Sequence, residues 1–84
     1  MGNEYMQYPA SVKALAKELI IVCDDYYSKK INNDRIKEVV LYYADSCPDK
    51  FFSGDSLNST IVNRIGKKRV RLISEVLKSN NRRT

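Results

Sequence analysis

A helical repeat of apolar residues in the first third of the chain constrains the fold most strongly. Between Val12 and Tyr26, apolar side chains recur at steps of three and four residues, which places them on one face of an α-helix. Pro9 suits a helix start, and a serine is a favourable N-cap, so we predict a helix from about Ser11 to Ser28. Such an amphipathic helix needs neighbours that cover its apolar face.

The same period predicts a second helix from about Asp34 to Asp45. Asn33 is its expected N-cap, and Pro48 prevents the helix from continuing because proline lacks the amide hydrogen that an inner turn requires. Residues 45–56 contain proline, glycine and aspartate, which are typical of a loop, and we see no convincing strand.

Two further apolar repeats follow, one running to Ile65 and the other from Lys67 to about Lys78. Gly66 between them either ends one helix or lies inside a single long helix at a cost of about 1 kcal/mol. The sequence leaves both possibilities open, so three or four helices are expected.

Length and composition indicate one domain, since 84 residues leave no room for a second core. We predict an all-α fold over residues 1–84, a compact bundle of three to four helices. An N-terminal arm is expected at 1–8 and a flexible basic tail at 79–84. The chain shows no signal peptide and no apolar run of membrane length, so we expect a cytoplasmic protein that contacts no membrane.

Five apolar residues of the first two helices fall outside the main apolar stripes, which leaves more apolar surface than a three-helix monomer covers. They are Ile20, Ile21, Tyr27, Leu41 and Tyr42. We therefore expect a homo-oligomer that associates through these two helices.

Positive charge is concentrated in the last quarter of the chain. Residues 64–84 hold eight basic residues and one acid, whereas residues 1–63 hold seven basic residues and nine acids. This local charge attracts phosphate-bearing partners, although a merely solvated helix face is the plainer alternative. The candidate phosphate-binding residues are Arg64, Lys67, Lys68, Arg69 and Arg71.

Arg69 differs from its basic neighbours in its position on the helix. At about 100° per residue it lies near Val76 on the inward face, where a guanidinium needs a partner. That partner is either an acid of the protein or an anionic ligand bound at an interface. The protein acids considered are Asp24, Asp25 and Asp45.

The chain contains six tyrosines and no tryptophan. A phenol ring can stack on a nucleobase and hydrogen-bond through its hydroxyl, although packing at the edge of a core is the commoner role of a single tyrosine. The candidates for base stacking are the adjacent pairs Tyr26, Tyr27, Tyr42 and Tyr43.

Catalytic and metal chemistry find little support. The chain has no histidine, and Cys23 and Cys47 do not have the spacing of a metal site. No glycine-rich phosphate loop is present. We therefore expect a protein that is not an enzyme and uses no metal or cofactor, with Cys23 as a buried free thiol.

The segment from Val62 to Arg69, followed by Ile73 and Leu77, resembles the closing segment of small uncharacterised proteins from Clostridium-type bacteria and their phages. In size and composition the chain is also similar to small helical phage proteins that counter bacterial defence. Some of those sequester nucleotide immune signals in pockets between subunits, and others bind CRISPR effectors. The resemblance assigns no functional residue in this chain.

Three functional hypotheses follow. The first is a non-enzymatic protein that binds a phosphate-bearing nucleotide ligand, in particular a phage anti-defence protein that sequesters a nucleotide immune signal. The second is a DNA- or RNA-binding domain, because Gly66 before a basic helix resembles a helix-turn-helix. The third is a protein inhibitor of a nucleic-acid-binding defence effector. An extended nucleic acid needs an exposed basic ridge, whereas a small nucleotide needs Arg and Tyr side chains that converge at an enclosed interface.

Overall fold

The computed structural model describes Tyr5, residues 8–54 and residues 56–81, which are mostly helical, as predicted. In chain order the elements are α1 (Val12–Tyr27), α2 (Asn33–Ser46), α3 (Pro48–Phe51), β1 (Phe52–Ser53), β2 (Ser56–Leu57), α4 (Ser59–Ile65) and α5 (Lys67–Asn81). Helix α1 packs against α4, α2 and α3, and α5 packs against α2, so the helices enclose one core.

Helix α1 forms as the sequence predicts. The Ser11 hydroxyl accepts a hydrogen bond from the amide of Ala14 at 3.1 Å, which confirms Ser11 as the N-cap. The predicted apolar stripe faces inward, and its fully buried members are Leu15, Ala16, Leu19, Val22 and Cys23. Burial of this stripe against α4 and α2 is the main hydrophobic contribution of α1 to stability.

Helix α2 is capped by Asn32, so the prediction of Asn33 as the N-cap is wrong by one residue. The Asn32 side-chain oxygen accepts a hydrogen bond from the amide of Arg35 at 2.9 Å. Asn33 instead accepts one from the hydroxyl of Tyr26 at 2.6 Å. Either of two consecutive asparagines can serve as an N-cap, so the sequence does not show which one caps α2. In the structure, the contact with Tyr26 engages Asn33 and leaves the cap to Asn32.

The segment predicted as a loop contains regular structure. Pro48 opens the short helix α3, because proline is favourable in a first turn although it cannot continue α2. Strands β1 and β2 then pair in antiparallel register, with Phe52 opposite Leu57. The expectation of no strand is therefore wrong here, since two-residue strands are too short to show an alternating pattern. Phe51 is fully buried and holds this segment on the core.

Gly66 separates α4 from α5. Its φ of 87° lies in the left-handed region that residues with a Cβ disfavour, so the two helices are distinct. Helix α5 continues to Asn81, beyond the predicted end at Lys78, and the start of the predicted tail is therefore helical. Residues 82–84, and all of the predicted arm except Tyr5 and Tyr8, lie outside the described residues.

The described residues include no helix long and apolar enough to cross a membrane.

Candidate functional site

Four of the five predicted phosphate-binding residues are exposed around the junction of α4 and α5. They are Arg64, Lys67, Lys68 and Arg71. The ion pairs among the described residues join Arg35 to Glu38 and Arg69 to Asp24, so no carboxylate within that part of the chain is paired with any of these four cations.

Arg69, the fifth residue, is held by the protein itself. Its Nη2 and Nε atoms donate to Oδ1 of Asp24 at 2.9 and 3.1 Å, and its Nη1 donates to the carbonyl of Ile65 at 2.9 Å. The side chains of Arg69 and Asp24 are 31% and 52% exposed, so this ion pair lies at the edge of the core. Of the two partners considered from the sequence, the structure thus places a protein carboxylate beside Arg69, where it ties α5 to α1.

The first turn of α5 carries Lys67, Lys68 and Arg69 and no acid. The amide hydrogens of a first turn point away from the helix and create a partial positive charge, so acids are favourable there and cations are not. Gly66 immediately before the helix has no side chain that could cap these amides. This concentration of positive charge destabilises the protein when no ligand is bound and favours the binding of an anion.

A pocket between α1 and α4 brings two further lysines to Arg64. It is open to solvent, and its volume is about 590 Å³. Its polar lining consists of Lys13, Lys17, Asn63 and Arg64, and its apolar lining of Ala16 and Ile20. We call it the cationic pocket, since its described lining residues carry three positive charges and no carboxylate.

Sequence reasoning missed Lys13 and Lys17 because residues 1–63 are acidic overall. One signal was available. The two lysines are four residues apart on a predicted helix, so they are neighbours on its surface and repel each other. Such a like-charged pair suggests that the two lysines bind one anion together. Only the fold, however, shows that Arg64 lies beside them.

The first tyrosine pair lies at the other end of α1. Tyr27 is 41% exposed, its hydroxyl donates a long hydrogen bond of 3.4 Å to the carbonyl of Lys68, and the Lys68 Nζ lies 5.2 Å from its ring centroid. Tyr26 is half-buried. The structure therefore brings Tyr27 together with one predicted phosphate-binding residue.

The second tyrosine pair belongs mainly to the core. Tyr43 is 1% exposed, and burial raises the pKa of its hydroxyl well above the ordinary value. Tyr42 is half-buried, with its ring centroid 5.6 Å from that of Tyr43. In this conformation the ring of Tyr43 has no surface to offer a base.

Both cysteines are buried free thiols, as predicted for Cys23. Burial is the main cause that raises the pKa of Cys23 to about 12, and Arg69 opposes this only in part. The thiol is therefore protonated and unreactive at neutral pH. No cluster of three or more metal-ligating side chains occurs among the residues that the structure describes.

A larger groove, of about 880 Å³, lies between α2, the β1–β2 hairpin and α5. The apolar residues that line it are Leu41, Ala44, Phe52, Leu57, Val62, Val70 and Leu77. We call it the apolar groove. Of the residues expected to form one oligomer interface, Leu41 lines this groove, whereas Ile20 lines the cationic pocket and Tyr27 lies beside Lys68. Association stays a prediction, and the apolar groove is the surface through which we now expect it.

Comparison with known proteins identifies a family but no activity. No curated protein and no solved structure matches the chain. A family model described as a conserved hypothetical protein matches residues 7–78, and its Clostridium-like name agrees with that part of the resemblance seen in the sequence. Nothing in the match indicates a relation to phage proteins. Because the match covers most of the chain, the chain belongs to this family of conserved hypothetical proteins.

Proposed function

We propose that this chain is a non-enzymatic protein that binds a phosphate-bearing nucleotide ligand in the cationic pocket. One observation carries the proposal: Lys13 and Lys17 from α1 and Arg64 from α4 line the same pocket, and no acid within the described part of the chain shares it. Three cations held close together repel one another, so the pocket gains stability when a phosphate group enters.

The lining side chains supply what a nucleotide needs. The planar guanidinium of Arg64 can donate two parallel hydrogen bonds to phosphate oxygens, and the two ammonium groups add charge from the opposite wall. The amide of Asn63 offers a neutral donor and acceptor. Ile20, which is half-buried, provides an apolar surface for a ribose or base. A volume of about 590 Å³ lies in the range of small-molecule sites.

A second candidate function, DNA or RNA binding, is favoured by the exposed cations beyond the pocket. Lys67, Lys68 and Arg71 continue from Arg64 along the start of α5, which is the exposed basic ridge that an extended nucleic acid needs. Sequestration of a nucleotide immune signal is the biological role proposed for the small-ligand function. Inhibition of a nucleic-acid-binding effector is the role left if the protein binds no nucleotide.

The test is calorimetry with ribonucleoside triphosphates and a dinucleotide, together with anisotropy of labelled single-stranded and duplex DNA. The variant is the triple substitution Lys13→Gln, Lys17→Gln and Arg64→Gln. Its matched control, Lys37→Gln, Lys50→Gln and Lys78→Gln, removes the same charge elsewhere. We expect the pocket variant to weaken nucleotide binding by about 100-fold, the size of one to two charge-assisted hydrogen bonds, and the control to have a much smaller effect.

A salt series separates the two functions. Binding to duplex DNA should weaken with a log–log slope of about −0.9 per phosphate neutralised, whereas a compact nucleotide should give a shallow slope. Equal losses in the pocket variant and the control would contradict a specific site. Absence of binding to every probe at about millimolar concentration would overturn both functions.

A further inference from the structure

The turn between α1 and α2 carries a second open pocket, with a volume of about 660 Å³. Its lining includes both rings of the first tyrosine pair and two more cations: Tyr26, Tyr27, Lys29 and Lys30. No acidic side chain among the residues that the structure describes lines it. We call it the tyrosine pocket. Aromatic faces beside positive charge are the combination with which proteins hold the bases of single-stranded nucleic acid.

The two rings are held in place before any ligand arrives. The hydroxyl of Tyr26 is tied to Asn33 at 2.6 Å, and Tyr27 is held by its contacts with Lys68. The ring centroids lie 6.1 Å apart with planes inclined by 58°, so the rings form a fixed corner. A preordered aromatic surface loses little conformational entropy when a base stacks on it.

Lys29 occupies a backbone conformation that glycine normally takes. Its φ of 68° is left-handed, and the amides of Lys29 and Lys30 close the end of α1 by donating to the carbonyls of Tyr26 and Asp25 at 3.1 and 2.8 Å. A residue with a Cβ costs about 1 kcal/mol or more in this conformation. This left-handed end of α1 places Lys29 in the lining of the tyrosine pocket.

One stripe of α1 joins the two pockets. Lys13, Lys17, Ile20, Asp24 and Tyr27 are spaced by four, three, four and three residues, so they lie on one side of the helix. Asp24, the acid in this stripe, is neutralised by Arg69. The line from the cationic pocket to Tyr27 and Lys68 is therefore free of unpaired negative charge. From Lys17 to Tyr27 the helix rises about 15 Å.

We infer that the tyrosine pocket is a nucleobase subsite, and that the ligand is a short single-stranded oligonucleotide lying along α1. This inference rests on the proposed function, because it takes the cationic pocket as the phosphate site. A nucleoside monophosphate is too short to reach both pockets. At the 3.4 Å rise of a stacked strand, about 15 Å corresponds to about four nucleotides, and an extended strand needs fewer.

The experiment measures the affinity of the full chain for oligothymidylates of one, two, four and eight nucleotides by competition against a labelled eight-nucleotide strand. An abasic strand of eight sugar-phosphates tests the contribution of the bases. The variants are Tyr27→Leu, Tyr27→Phe and a control at another exposed tyrosine, Tyr8→Leu, whose side chain is 78% exposed. Thermal melting of each variant checks that it folds.

We expect affinity to rise steeply up to about four nucleotides and little thereafter. Tyr27→Leu should weaken binding of the eight-nucleotide strand by about 10-fold, which lies within the range of one lost stacking contact. Tyr27→Phe and Tyr8→Leu should bind as the unmodified chain does. The abasic strand should bind Tyr27→Leu and the unmodified chain equally well.

Two results would overturn the inference while leaving the proposed function intact. One is a mononucleotide that binds as tightly as the eight-nucleotide strand. The other is a folded Tyr27→Leu protein with unchanged affinity for that strand. If instead the triple substitution in the cationic pocket leaves the binding of both nucleotides and the strand unchanged, the proposed function itself is wrong.

Discussion

The cationic pocket and the apolar groove are both open surfaces built on the same core, yet their chemistry is opposite. Counting only the described residues, the pocket holds three cations without an acid, whereas the groove holds seven apolar side chains with one acid and one base, Asp45 and Lys78. A charged pocket selects small or extended anions, and an apolar groove selects another protein surface. We therefore expect the proposed ligand binding to use the pocket and the predicted self-association to use the groove.

The short helix α4 divides the two surfaces. Val62 lines the apolar groove, while the next two residues, Asn63 and Arg64, line the cationic pocket. Helix geometry turns successive side chains by about 100°, so one seven-residue helix can serve both surfaces while Ile61 and Ile65 face the core. Substitutions on α4 and α5 can therefore separate binding from association.

Reversal of one charge in the pocket should give the largest effect. Arg64→Glu should lower nucleotide affinity by about 100-fold or more, because it removes charge-assisted hydrogen bonds and adds repulsion. Lys78→Glu makes the same charge change in the groove and should alter affinity only slightly. Calorimetry at fixed salt measures both. Comparable losses in the two variants would mean that overall charge, and no local site, governs binding.

A charge placed in the groove should act on association alone. We expect the unmodified chain to form dimers at tens of micromolar, and Leu77→Lys to raise the dimer dissociation constant by about 10-fold or more, because the energy of burying one leucine is lost. Nucleotide affinity should be unchanged. Light scattering gives the mass, with Lys17→Gln in the pocket as the control. A monomeric unmodified chain would remove the predicted dimer.

Alkaline pH should destabilise the core. Because the cationic pocket and the apolar groove are both built on this core, both should be lost together. The pKa of Cys23 is about 12 in the folded state, so the unfolded chain releases this proton at lower pH than the folded one. Stability should therefore be constant up to about pH 8 and then fall by about 1 kcal/mol per pH unit toward pH 12. Urea unfolding at several pH values measures this decline, which Cys23→Ala should make shallower. Parallel pH curves for the two proteins would contradict the assignment to Cys23.

Loss of Arg69 should have the smallest effect. Removing one partner of a fully buried ion pair costs about 3–5 kcal/mol, but Arg69 and Asp24 are both substantially exposed. We therefore expect Arg69→Ala to lower the free energy of unfolding by about 1 kcal/mol, with nucleotide affinity retained. Arg71→Ala, on the exposed side of α5, serves as the control and should leave stability unchanged. Thermal melting with and without nucleotide tests both the stability and the nucleotide binding of the two variants. Lost binding in a stable Arg69→Ala protein would place Arg69 in the ligand site.

Local signals in the sequence were sufficient for the long helices α1 and α2, although they missed α3 and left open whether Gly66 breaks a helix. The apolar stripe of α1, its cap at Ser11 and the stop before Pro48 each depend on residues within a few positions of one another. For the same reason the buried state of Cys23 was predictable, since it lies on that stripe. Helical period and capping chemistry are properties of adjacent residues, so no knowledge of the fold was needed.

The candidate sites depended on contacts between residues far apart in the chain. Lys13 and Arg64 share a pocket because α1 packs on α4. Arg69 of α5 likewise meets Asp24 of α1, which is 45 residues away in the chain. The strand pair at 52–57 likewise forms because Phe51 is anchored in the core. The sequence by itself determined the long helices α1 and α2 and the total charge. The tertiary structure decided which charges are paired and which face an open pocket, because pairing depends on distances that only helix packing sets.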